Sequence, residues 1–322
     1  MLDIDNELLG EKIKLDFSYF VVNHAEQINL SLKVIHEENF SIPQGLIVTK
    51  QSQNSITYDI GNLRYNNYDD DVFTRYNYKE NTAKLYYKSI NLAHEVLYLL
   101  ILSRSGKYLD QRGLHRVHAA GFVIKDQNII LMLPSKGGKT TTMIELAKNE
   151  ELKFISDDSP LIDSWGKVYP FPLRLGIEDK TKLLKNHSYL SEEDFYEFER
   201  RFFSKKNLIP LTKFKNKIGT GKQNILLHGV RSTYKETKIK KISKWKMLKI
   251  LNEYLIIGIG LPVILEYFIQ NTLVDHIGNI NILMKRIFAA MNLILRSECY
   301  EVILSNDSVE SVKKIREYYE QR

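Results

Sequence analysis

Over residues 12–88 apolar residues partly alternate with polar ones, and over 89–105 they recur at helical spacing. The segments 17–22, 28–34 and 45–49 carry β-type side chains with partial alternation and predict three strands. Tyrosine- and asparagine-rich connections such as 65–71 separate them. Within that connection Asp69, Asp70 and Asp71 predict a solvated turn, since successive carboxylates on a turn diverge and no glutamate follows at calcium-loop spacing. Leu92, Val96, Leu99 and Leu100 share one face of a helix expected over 89–105, with Gly106 as its stop. Next, 117–124 and 128–133 read as strands joined at 125–127, 141–148 as a helix and 152–156 as a short strand. Strand, loop, helix, strand is an α/β unit. The stretch 186–216 is charged and reads as mostly helical, with the acids, bases and aromatics of 192–203 forming a surface or lid helix. Strands return at 225–230 and 300–304, on either side of a largely helical 246–296.

Composition narrows the setting. The chain has 322 residues, 43% hydrophobic and 26% charged, enough for one large or two medium domains. Its single cysteine, Cys299, cannot form an internal disulfide, which points to a reducing compartment. The N-terminus carries acidic residues where a secretory signal would be basic and then apolar. The longest apolar stretch, 254–268, contains Pro262 and Glu266 and falls short of the roughly 20 residues a membrane span needs. A cytoplasmic protein without a membrane span is therefore expected. The net charge of +7 concentrates in 200–249, including Lys238, Lys240, Lys241, Lys244, Lys246 and Lys249. Such a run is either a solvated face or a surface for a polyanion or acidic peptide. No nucleic-acid fold motif accompanies it, so nucleic acid is not expected as a partner. Oligomeric state is left open, with a homo-oligomer allowed.

The chemistry concentrates between 118 and 158. Leu133-Pro134-Ser135-Lys136-Gly137-Gly138-Lys139-Thr140 ends like a P-loop, G-x-x-x-x-G-K-[ST], with Leu133 in place of the first glycine. Backbone N–H groups between a strand and a helix N-terminus make a concave site for phosphate oxygens. In such a site Lys139 would reach toward the β- and γ-phosphates and the Thr140 hydroxyl would ligate Mg²⁺, with Thr141 at the start of the helix. A simple strand–turn–helix without a ligand is the plain alternative. Asp157-Asp158, at the end of the next strand, supply a carboxylate for the metal and an acceptor for a hydroxyl proton, or else cap a turn. His118 is expected to begin the strand leading to the loop, and His115 and Arg116 to offer a cationic entrance for phosphates. Arg174 is either a phosphate contact or a surface residue, and Gly219-Thr220-Gly221-Lys222 reads as a turn.

In order and spacing, His118-Ala119-Ala120-Gly121, the loop 133–140 and Ser156-Asp157-Asp158 resemble the catalytic domain of HPr kinase/phosphorylase. That fold is similar to the nucleotide core of phosphoenolpyruvate carboxykinase. The resemblance is specific over 117–177, diffuse over 225–304, and nearest to the shorter members that phosphorylate a serine of a ribosomally made precursor peptide. It implies an α/β fold with a P-loop catalytic domain at 111–322; the residue pattern itself adds an α+β N-terminal part, a β-rich region with a closing helix at 1–110, and a helical, basic insertion at about 186–222. The resemblance implies an ATP- and Mg²⁺-dependent kinase acting on a peptide or protein serine. Ser135, Lys136, Gly137, Gly138, Lys139, Thr140 and Thr141 would bind the nucleotide, and Thr140 and Asp158 the metal. Asp157, Asp158 and His118 would be catalytic, one aspartate accepting the hydroxyl proton. The family's loop has glycine where this chain has Leu133 and Lys136. The alternatives are a P-loop NTPase that is not a kinase and a catalytically impaired nucleotide-binding scaffold.

Overall fold

The computed structural model describes residues 1–40, 42–134, 137–148, 152–177, 179–201, 205–210, 213, 217–259 and 273–321. The chain begins with β1 (Leu2–Ile4), α1 (Glu7–Asp16), β2 (Ser31–His36), β3 (Val48–Gln51), β4 (Ile56–Ile60), β5 (Leu63–Tyr68), β6 (Val72–Asn77), β7 (Thr82–Tyr87) and α2 (Ile90–Gln111). There follow β8 (Leu114–Arg116), β9 (Ala120–Ile124), β10 (Gln127–Met132), α3 (Lys139–Ala147), β11 (Lys153–Ser156), β12 (Leu161–Asp163), β13 (Val168–Tyr169), β14 (Leu175–Ile177) and α4 (Lys180–Asn186). The rest comprises β15 (Tyr196–Phe198), β16 (Lys206–Ile209), β17 (Gln223–Arg231), β18 (Lys238–Lys241), α5 (Lys244–Leu251), α6 (Leu273–Leu295), β19 (Ser297–Leu304) and α7 (Ser308–Glu320). The fold is mixed α/β with several sheets, and no helix among the described residues is long and apolar enough to cross a membrane.

Two compact units divide the chain. The first contains Met1–Arg104, Gly176–Leu184 and Ser191–Pro210; the second contains Ser105–Leu175, Lys185–Leu190 and Leu211–Arg322. In the first unit seven strands run in the order β1-β2-β7-β6-β5-β4-β3. Alternation along β7 buries Ala83, Leu85 and Tyr87 on one face, where they meet Leu92, Ala93, Val96 and Leu97 of α2 and Leu9 and Ile13 of α1. The segment 17–22 forms turns and coil, not the expected strand. Asn6 caps α1 by accepting from the Leu9 N–H, the helix carries its period to Asp16, and Phe17 closes it with its ring against Tyr98.

Two further expectations are corrected here. Gly106 does not stop α2, which continues to Gln111. The glycine lies beside the Arg116 guanidinium, and an added Cβ would come within 2.2 Å of it. Its missing side chain makes room for an arginine, and the helix ends before Gly113, whose φ is +77°. Nor does a helix run through 192–201. A short 3₁₀ turn at Glu192–Asp194 leads into β15, where Tyr196, Glu197 and Phe198 alternate and Phe198 is buried. The aromatic spacing fits a strand paired with β16 better than a helix.

The second unit is built on a six-stranded sheet, β11-β9-β10-β17-β19-β18. Strands β10, β17 and β19 are parallel neighbours, and β9 runs antiparallel between β10 and β11. The C-terminal ends of β10, β11 and β17 and the N-terminal end of β9 therefore lie along one edge. Ile130, Met132, Leu226 and Cys299 face a core closed by Met247, Leu251 and Leu255 and by Ala289, Ala290 and Leu293 of α6. Asp110 sits in this unit with Arg286, 1% exposed, as a bidentate pair at 2.9 and 2.6 Å. His115 Nδ1 lies 2.8 Å from the same carboxylate. That burial takes His115 out of the expected cationic entrance: it is an internal partner of Asp110, and Arg116 is buried against Gly106.

Candidate functional site

Sheet order brings the candidate residues to one edge. The loop after β10 leads into α3, whose N-cap Gly138 has φ +97°, a conformation that strains an L-side chain. Gly137 is crowded as well: a Cβ there would stand 2.7 Å from the Pro134 carbonyl oxygen. These two glycines let the backbone turn tightly into the helix, with the Gly137 N–H donating to Pro134 O at 2.9 Å. Ser135 and Lys136 lie outside the described residues. Thr141 is exposed in the first turn of α3.

The connection after β11 is pinned from several sides. The Ser156 hydroxyl donates to the Phe171 carbonyl at 2.7 Å and accepts from the Ser159 N–H at 3.0 Å. The N–H groups of Ala119 and Val117 donate to the carbonyls of Asp158 and Pro160 at 3.2 and 3.0 Å. The turn carrying Asp157-Asp158 is thereby stitched to 117–119. His118 lies in that connection between β8 and β9, two residues before the strand it was expected to begin. Its N–H donates to the Tyr254 carbonyl at 2.9 Å.

Three side chains meet there. Lys139 Nζ lies 2.6 Å from His118 Nε2 and 3.5 Å from Asp158 Oδ1, and it donates to the Leu133 carbonyl at 3.0 Å. His118 Nε2 is 3.1 Å from the same Asp158 oxygen. On the other side of the ring Nδ1 faces the Ile259 carbonyl, which can only accept, so Nδ1 carries a hydrogen. Nε2 then accepts from the Lys139 ammonium or, when the ring is protonated, donates to Asp158. Burial pushes the Asp158 carboxyl up, but the hydrogen bond and charge of His118 and the Lys139 ammonium outweigh it and hold it below the ordinary carboxylate range. Lys139 is buried, whereas 45% of the Asp158 side chain stays exposed. The carboxylate is thus accessible from outside while its charge is secured from within.

Asp157 faces a different partner: the Thr140 hydroxyl donates to its Oδ2 at 3.1 Å. The two aspartates are therefore divided, Asp157 toward the helix start and Asp158 toward His118 and Lys139. Among the described residues no group of three or more His, Cys, Asp or Glu side chains gathers to hold a metal ion by itself. Thr140 and Asp157 nonetheless offer two hard oxygens beside the loop. That suits Mg²⁺, which is usually bound by one or two carboxylates together with phosphate oxygens.

Arg231 completes the constellation, and sequence reasoning missed it. It is the last residue of β17, the parallel neighbour of β10, and its Nε donates to the Gly137 carbonyl at 3.1 Å. Arg231 is an exposed residue, and a guanidinium held to the loop through Nε has further N–H groups of the kind that bind phosphate oxygens. Arg174 is buried, not a surface residue. The turn containing Gly219–Lys222 precedes β17 at the opposite edge of the sheet, where Lys222 pairs with Asp126 at 3.1 Å. Within the basic run, Lys240 and Lys246 both bind Glu301, at 2.7 and 2.5 Å. No family model matches the chain, and no curated protein matches it.

Proposed function

We propose that the second unit is an ATP- and Mg²⁺-dependent kinase. It transfers the γ-phosphoryl group to a hydroxyl, in first place that of a serine on a peptide or protein. The observation that carries this reading is the meeting of Lys139, His118 and Asp158 within 3.5 Å beside a glycine turn at a helix N-terminus. The resemblance of 117–177 to an HPr-kinase core supports the same reading, with the metal role moved from Asp158 to Asp157.

Each residue has a task. The loop N–H groups and Lys139 receive the triphosphate, and Arg231 adds a guanidinium from β17. Thr140 and Asp157 would hold Mg²⁺, which when bound neutralises charge on the phosphate oxygens. This division favours Asp157 over Asp158 as the metal-side carboxylate. Asp158 takes the proton of the acceptor hydroxyl as its oxygen bonds to the γ-phosphorus. The bond from that phosphorus to the β–γ bridging oxygen breaks, and its electron pair leaves with ADP. His118, fixed by the Ile259 carbonyl, orients Asp158 and shares the proton it receives.

Labelled γ-phosphate tests the reading. With ATP, Mg²⁺ and candidate serine-bearing polypeptides, the label is expected on the polypeptide. Label found only as free phosphate would replace the kinase with an NTPase, and nucleotide binding with neither outcome would leave a scaffold.

A further inference from the structure

We propose that the outer face of α6 is the contact between two copies of this chain. Ile277, Ile280, Met284, Phe288, Met291 and Leu295 recur at three- and four-residue steps along this 23-residue helix, and each is between 45% and 70% exposed. The opposite face is already buried in the core through Ile282, Ala289, Ala290 and Leu293. An apolar stripe left on the outer face of a helix whose other apolar face is already buried marks a surface that a partner covers. The spacing is close to the seven-residue repeat with which helices pack side by side.

Charge and area choose the occupant. Among the described side chains of 277–295 no charge interrupts the stripe, because the cations at 285 and 286 turn elsewhere, Lys285 to the Gln111 carbonyl and Arg286 to Asp110. A helix lying on an anionic membrane carries lysine and arginine along its polar face, and an acidic peptide would need cations along the stripe. An uncharged face is instead complementary to itself, as a twofold contact requires. The six side chains expose on the order of 700 Å², and Trp245 adds to that, close to the roughly 800 Å² per partner of a stable interface. A groove of about 500 Å³ is lined by Trp245, Leu248, Ile256 and Met291 together with Lys249 and Glu253. It gives the large side chains of the other copy a hole to enter. In an antiparallel pairing centred near Met284 and Phe288, the Ile277 end of one helix meets the Leu295 and Trp245 end of the other.

Sedimentation velocity of the full chain tests this. The wild type should pass from monomer to dimer between sub-micromolar and about 100 µM, as mass action requires. F288E with M291E, at two exposed positions, should keep the same circular dichroism and weaken dimerisation by roughly a hundredfold or more. In an otherwise native chain, Met284→Cys should cross-link two copies under mild oxidation, since the natural Cys299 is buried. A wild type that stays monomeric throughout, or a double variant that dimerises as well as wild type, overturns the proposal. So does a monomer that binds phosphatidylserine vesicles through this stripe, which would assign the face to a membrane.

Discussion

Asp158 stands between a cation and an imidazole, and removing its charge should separate binding from chemistry. Asp158→Asn keeps the shape of the turn, and Lys139 keeps the Leu133 carbonyl. Nucleotide affinity should therefore stay within a few-fold, while transfer falls by about 10²–10⁴, the usual worth of a general base. Asp157→Asn should act differently. It removes the partner of the Thr140 hydroxyl, so the Mg²⁺ concentration needed for half-maximal activity should rise. If a magnesium titration shows the shift in Asp158→Asn instead, the two roles are exchanged. Away from the site, Asp110→Asn leaves Arg286 buried beside a neutral amide and should cost about 3–5 kcal/mol, read as a lower midpoint in urea.

At the scale of elements the turn into α3 is the most constrained feature. Gly138→Ala places a Cβ in left-handed backbone and 2.9 Å from an Arg231 nitrogen. It should cost about 1–3 kcal/mol in stability and weaken nucleotide binding, measured by thermal melting with and without ATP. This turn was legible in the sequence because it is local: an apolar run, two glycines, a lysine and a helical period follow one another within twenty residues. Strands β10 and β11 were legible for the same reason. Features that depend on distant partners were not. The continuation of α2 past Gly106 depends on the Arg116 guanidinium, and the strand at 196–198 on its pairing with β16. Arg231 lies 94 residues from the glycine it contacts, and only the parallel pairing of β10 with β17 brings the two together. His118, Lys139, Asp157 and Asp158 could be named from sequence, but not which aspartate faces which partner. That division depends on the turn held by Ser156 and on its stitching to 117–119.

Across the whole molecule, acid should act chiefly on the second unit. Hydrogen bonds from Lys240 and Lys246 push the Glu301 carboxyl down from its ordinary 4.5 to about 2. A carboxyl lowered in the folded state adds stability that is complete above its unfolded value and disappears as pH falls through the folded one. Asp110 is lowered too: burial raises it, but His115 and Arg286 outweigh that. Stability should accordingly fall between about pH 5 and pH 2, and Glu301→Gln should flatten that fall. Because both lysines are about half exposed, the substitution should cost only about 1–2 kcal/mol at neutral pH. A pH profile that Glu301→Gln leaves unchanged would remove Glu301 from this account. The central claim, that Lys139, His118 and Asp158 move a phosphoryl group to a polypeptide, is tested most directly by intact-mass analysis. Serine-bearing polypeptides, an acidic precursor-type peptide among them, are incubated with ATP, Mg²⁺ and either wild type or Asp158→Asn, with nucleotide binding measured in parallel. The prediction is one added phosphoryl group with wild type and none with the variant, although both bind ATP. Equal phosphorylation by both proteins, or none by a wild type that binds and hydrolyses ATP, would contradict it.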